Sequence, residues 1–111
     1  MAAGQTTPVL PSPDLENVSL ADVLAALADP TRLDLVLLLA KRRDATAMCS
    51  RILETLDLAK QNFSHHAKAL HAVGLIEAWY VGRNKYVRLR RDFVDKRFPG
   101  LLDGVLKAAR R

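Results

Sequence analysis

A mainly α-helical domain carrying a small β-hairpin is the fold class predicted by this 111-residue sequence, and three observations predict it. Apolar residues recur at helical spacing through most of residues 19–73. The stretch LIEAWYVGRNKYVRLR, residues 75–90, then switches to β-branched and aromatic residues around Gly82-Arg83-Asn84, the pattern of a hairpin. After Phe98-Pro99-Gly100, an apolar stripe of Leu101, Leu102, Val105, Leu106 and Ala109 predicts one more helix.

The elements follow in order. Residues 1–18 hold Pro8, Pro11 and Pro13 among scattered polar residues and are expected to form a flexible arm, leaving 19–111 as the folded domain. Ser19 opens the first helix, because its hydroxyl can accept from a free N–H of the first turn, while Asp22 suits the positive end of the helix dipole. Leu20, Val23, Leu24 and Leu27 form its stripe. Asp29-Pro30 ends this helix and starts a second one, in which Leu33 to Ala40 is apolar nearly all round and should be buried on most sides. A third helix is predicted over 46–56, with Met48, Cys49, Ile52, Leu53 and Leu56 on one side. Asp57-Leu58-Ala59-Lys60 is a tight connection to a fourth helix, from about Gln61 to Val73, which stops at Gly74. The hairpin, a helical turn over 92–97 and the last helix complete the domain. This order is that of a winged helix-turn-helix.

The fourth helix carries the chemistry. At about 100° per residue, Phe63, Ala67, Leu70 and Val73 share a buried stripe and His66 lies on its edge. Gln61, Ser64, His65 and Lys68 point away from that stripe, on a face without an acid. Such amides, hydroxyls, imidazoles and cations reach base edges and phosphates when a recognition helix enters a major groove. Arg83 and Lys85 flank Asn84 at the hairpin tip, where they would reach phosphates or a minor groove. His65, His66 and His71 diverge around the helix, so they do not converge on a zinc ion, and no metal site is expected. Ser64 and its histidine neighbours lack an orienting third group and an oxyanion pocket, and no glycine-rich phosphate loop is present, so an enzyme is not expected.

Charge agrees with a polyanion partner. Residues 1–40 hold one base and five acids, whereas residues 82–111 hold ten bases and three acids. The longest apolar stretch, Leu35 to Ala40, is far too short to span a bilayer, and MAAGQTTPVLPSPD has neither the basic nor the apolar part of a secretory signal. A single cysteine fits a reducing cytoplasm. The competing reading is a protein-interaction module that uses the same scaffold without binding DNA.

LADPTRLDLVLLLA at 27–40 and SHHAKALHAVGLIEAWYVGRNKYVRL at 64–89 resemble bacterial ArsR/SmtB-type repressors over about residues 20–91. The resemblance implies a dimer that binds double-stranded DNA at a palindromic operator and lets go when an inducer binds. It makes Gln61, Asn62, Ser64, His65 and Lys68 the groove residues and Arg83 and Lys85 the wing contacts. Ala67 departs from the pattern, which has a larger Leu or Phe there. Sensing departs further: Ala47-Met48-Cys49-Ser50 offers one thiol where many relatives pair two, and no histidine follows His71. No metal sensor and no cofactor are therefore expected, leaving a small-molecule or redox inducer. Cys49 is a candidate redox residue, with a structural place on its helix's apolar face as the competing reading. The first and last helices are expected to form the dimer interface, through Leu20, Val23, Leu24 and Leu27 with Leu101, Leu102, Val105 and Leu106.

Overall fold

The computed structural model describes residues 13–109. Of the arm expected over residues 1–18, residues 1–12 lie outside the described residues. Regular structure begins before Ser19: residues 15–17 form one 3-10 turn, and Val18 is buried.

Helix α1 (Leu20–Leu27) starts as its sequence predicts, with Ser19 Oγ accepting from the Asp22 backbone N–H at 3.1 Å. Asp29 does the same for α2 (Pro30–Ala40). Its Oδ1 accepts from the backbone N–H groups of Thr31 at 2.8 Å and Arg32 at 3.0 Å, and Pro30 occupies the position that has no helical acceptor to lose. Leu35, Val36, Leu38 and Leu39 are all buried, as expected of a helix apolar nearly all round.

Residues 46–48 differ from expectation. They form a strand, β1 (Thr46–Met48), and helix α3 is shorter, Cys49–Leu56. Asp44 and Ala45 both adopt positive φ (56° and 51°), so the chain leaves α2 through a left-handed corner and arrives extended rather than helical. Helix α3 ends at Asp57 (φ 54°), where the Leu58 N–H reaches back to the Leu53 carbonyl at 2.9 Å. Three residues, Asp57 to Ala59, then lead into α4 (Lys60–Ala72). Gly74, at φ 80°, stops this helix, with the Leu75 N–H bonded to the Leu70 carbonyl at 3.0 Å.

Strands β2 (Ile76–Val81) and β3 (Asn84–Leu89) pair antiparallel from Ile76↔Leu89 to Val81↔Asn84. Gly82 (φ 63°) takes the first place of the two-residue turn, the position at which a type II′ hairpin calls for glycine. Strand β1 covers the other edge of β3 through Thr46↔Arg88, Ala47↔Val87 and Met48↔Tyr86, so the sheet order is β1-β3-β2. Helices α5 (Arg91–Arg97) and α6 (Leu101–Ala109) follow. One core runs from Val23 through Leu35, Ile52, Phe63 and Leu70 to Leu75, Val87, Val94 and Leu102.

The two stripes expected at a dimer interface divide. Val23 and Leu27 face inward into this chain's own core, whereas Leu20 and Leu24 are 47% and 46% exposed. The two rows are offset by about 60° around α1, so only one can face the core squarely. On α6, Leu102 is buried in the same core, and Leu101, Val105 and Leu106 are half-buried against it.

Candidate nucleic-acid interface

Helix α4 is anchored by its inner side and offers its outer side to solvent. Phe63 and Leu70 are buried at 2% and 0% exposure, and Val73 and Ala67 pack beside them. His66 sits at the edge of this stripe, half-buried, as the helical geometry predicts. Its Nδ1 lies 3.5 Å from Arg32 Nη1 and 3.9 Å from Asp29 Oδ1. The backbone N–H groups of Arg32 and Thr31 and the neighbouring His66 and Arg32 hold the Asp29 carboxyl below its ordinary value, the Arg32 N–H bond contributing most.

Gln61, Asn62, Ser64, His65 and Lys68 are all exposed. The His65 ring meets the His66 ring edge-on, with centroids 5.3 Å apart, and the two differ in environment, His65 being exposed and His66 half-buried. Ser64 and Lys68 stand on the side of α4 nearest the sheet, where they border a cleft between helix and hairpin. Gln61 and His65 are not among the residues lining that cleft. The five residues expected in the groove thus wrap from the outer face of α4 toward the wing.

Arg83 is exposed within the hairpin turn. Lys85 is half-buried and shares the strand face of Val87 that looks toward α4, so it stands opposite Lys68 across the cleft instead of at the tip. The remaining arginines of the basic return strand are engaged. Arg88 pairs with Glu77 and lies 5.9 Å from the Trp79 ring centre, which stacks on Tyr86 at 6.2 Å. Arg91 pairs with Asp103, and Arg90 lies 5.0 Å from the Phe93 ring centre. Tyr80 and Val81 are exposed near the wing tip, 52% and 47%, an apolar addition that charge counting overlooks.

Cys49 is half-buried at the start of α3, not in mid-helix. Burial pushes its thiol pKa up, and the positive charges of Lys85 and Lys60 only partly oppose this. Among the described residues, no three His, Cys, Asp or Glu side chains cluster as a metal site would require. Among them, too, no helix is long and apolar enough to cross a membrane.

A three-helix core, a short-turn pair α3–α4 and a hairpin wing with an exposed polar helix face define a winged helix-turn-helix DNA-binding protein. Residues 27–77 match a family model described as a helix-turn-helix domain. Over 83 residues the chain is 31% identical to the uncharacterized HTH-type transcriptional regulator YceK of Bacillus subtilis (strain 168), covering 75% of this chain and 82% of the relative. A solved structure of a possible transcriptional regulatory protein from Mycobacterium bovis superposes with a TM-score of 0.64 at 27% identity, over 82% of this chain and 90% of that one. The chain belongs to the HTH-type transcriptional regulators.

Proposed function

We propose that the protein is a homodimeric repressor of the ArsR type, acting in the cytoplasm on a palindromic operator and released by a small-molecule inducer. The observation that carries the reading is the outer face of α4: five exposed polar residues and no acid, beside a wing with Arg83 and Lys85. Gln61, Asn62 and His65 would read base edges, while Ser64, Lys68, Arg83 and Lys85 would hold phosphates. Leu20 and Leu24 support the dimer, because two large exposed aliphatics on one face of α1 are well served by a second copy. Leu101, Val105 and Leu106 would extend that interface. Two recognition helices would then enter successive major grooves about 34 Å apart.

The test begins by selecting bound fragments from a genomic library and measuring affinity by salt-controlled gel shift. His65→Ala and Lys68→Ala should each weaken operator binding about tenfold, with sedimentation showing an unchanged dimer. Unaltered affinity in both variants would remove α4 from the interface. A protein that sediments as a monomer at micromolar concentration would remove the dimer.

A further inference from the structure

Helix α4 and the wing sheet do not close on each other. Between them lies a cavity of about 180 Å³, with Phe63, Ala67, Ala78 and Val87 as its apolar floor and Lys68 and Lys85 at its sides. Ala78 and Val87 are cross-strand partners, so the sheet side of the cavity is one continuous patch, with Phe63 and Ala67 of α4 across from it. Ala67 on α4 and Ala78 on β2 both line this space, and a larger side chain at either position would take up part of its volume. Neither lysine has a carboxylate partner among the described residues.

We propose that this cleft binds a compact organic monocarboxylate whose apolar body is about one ring in size, with its carboxylate meeting Lys68 and Lys85. A cavity of roughly 150 Å³ lined by apolar side chains accepts benzene, so this volume suits one ring with a short polar extension. The two ammonium groups select an anion and disfavour a cation. A purely inorganic anion would leave the apolar floor unfilled. The remaining consequence rests on the DNA-binding reading above: the same two lysines lie on the face assigned to phosphates. A bound carboxylate would offset one of their two positive charges, occupy both as hydrogen-bond donors and wedge α4 against the wing, so ligand and DNA should oppose each other reciprocally.

Sodium benzoate is the probe, with acetate, benzamidine and benzyl alcohol as comparisons, read from the alanine methyl signals of the full chain in NMR without DNA. Benzoate should shift the Ala67 and Ala78 methyls with a dissociation constant of roughly 1 mM or below, equivalent to about −4 kcal/mol. Acetate and benzamidine should not shift them. Ala67→Leu should remove the response, and Ala78→Leu provides a second filling of the same space should the first disturb α4. Lys85→Gln should weaken benzoate while sparing benzyl alcohol. Shifts confined to other alanines, or benzoate binding undiminished in a folded Ala67→Leu or Ala78→Leu protein, would overturn the site. Adding duplex operator should release benzoate, and saturating benzoate should weaken operator binding roughly tenfold, within the usual range of such couplings. Operator binding without benzoate release would overturn the antagonism. A protein that bound benzoate at Ala67 and Ala78 but no DNA would refute the regulatory reading and leave the site standing.

Discussion

Arg32 Nη1 lies 3.5 Å from His66 Nδ1, and the same guanidinium donates from Nε to the Ala26 carbonyl at 2.6 Å. Ala26 is in the last turn of α1, where carbonyls have no helical partner. One planar side chain therefore ties the end of α1 and the start of α2 to the inner flank of α4, and fixes the angle at which its outer face is offered. Arg32→Met should destabilise the fold by about 1.5–3 kcal/mol in urea denaturation, the usual loss for a charge-assisted bond to a carbonyl. Arg32→Lys should recover only part of that loss, because a point charge cannot serve two partners in the fork geometry. Equal stability of the three proteins would show the tie to be idle.

Gly74 is the second fixed point of α4. Its φ of 80° is a left-handed stop, and a Cβ placed there would overlap the edge of the Phe93 ring. Gly74→Ala combines left-handed backbone strain with overpacking, so a loss of about 2–4 kcal/mol is expected. Thermal and urea unfolding of the variant measure it; a loss of only about 1 kcal/mol would mean that Phe93 swings aside freely and backbone strain alone remains, and a loss below about 0.5 kcal/mol would remove both causes.

What was legible in the sequence was local. Ser19, Asp29-Pro30, Gly74 and Gly82 act on their own few residues of backbone, and each sits where its chemistry predicts. Helical spacing likewise separated His65 from His66 correctly. Strand β1 was not legible, because three residues are too few to show a period and Thr46–Met48 are extended through pairing with distant β3. The division of the α1 stripe, and the turning of Lys85 toward Lys68, depend on what packs against each element. The cleft is invisible in one dimension for the same reason: it needs α4 and the sheet to bring Ala67 and Ala78 to one cavity.

The Asp29 cap predicts a direction of acid sensitivity. Its folded-state pKa is lowered below the ordinary 3.8, chiefly by the Arg32 backbone N–H. The native state therefore holds the carboxylate more tightly than the unfolded chain does. The resulting stability is fully present above the unfolded value and is lost as pH falls through the lower folded value. Asn also caps helices but does not titrate. Wild type should thus exceed Asp29→Asn in urea midpoint at neutral pH, and the gap should shrink below about pH 4. A gap that stays constant on acidification would assign the difference to shape instead of charge.

Arg83 tests whether the wing touches DNA. It is exposed at the turn of the hairpin, whereas Arg88 and Arg91 already hold Glu77 and Asp103. If each wing neutralises one phosphate, Arg83→Ala should reduce the log–log dependence of operator affinity on salt by about one unit per wing. Arg88→Ala should change that slope less. Identical slopes for wild type and Arg83→Ala would leave the wing without a phosphate contact.

Cys49 separates a small-molecule inducer from an oxidant. Burial raises its thiol pKa, and a raised pKa leaves less thiolate at neutral pH, the form that both alkylating agents and peroxide attack. Lys60 and Lys85 pull the other way but are the smaller influences. Iodoacetamide should therefore modify the folded protein more slowly than it modifies the same protein in denaturant. Cys49→Ser should keep operator affinity within about twofold, since a half-buried thiol and hydroxyl differ little in size and a neutral thiol leaves the charge of the neighbouring Lys85 unaltered. Peroxide that releases wild type from DNA but not Cys49→Ser would reverse this conclusion and make the thiol a sensor.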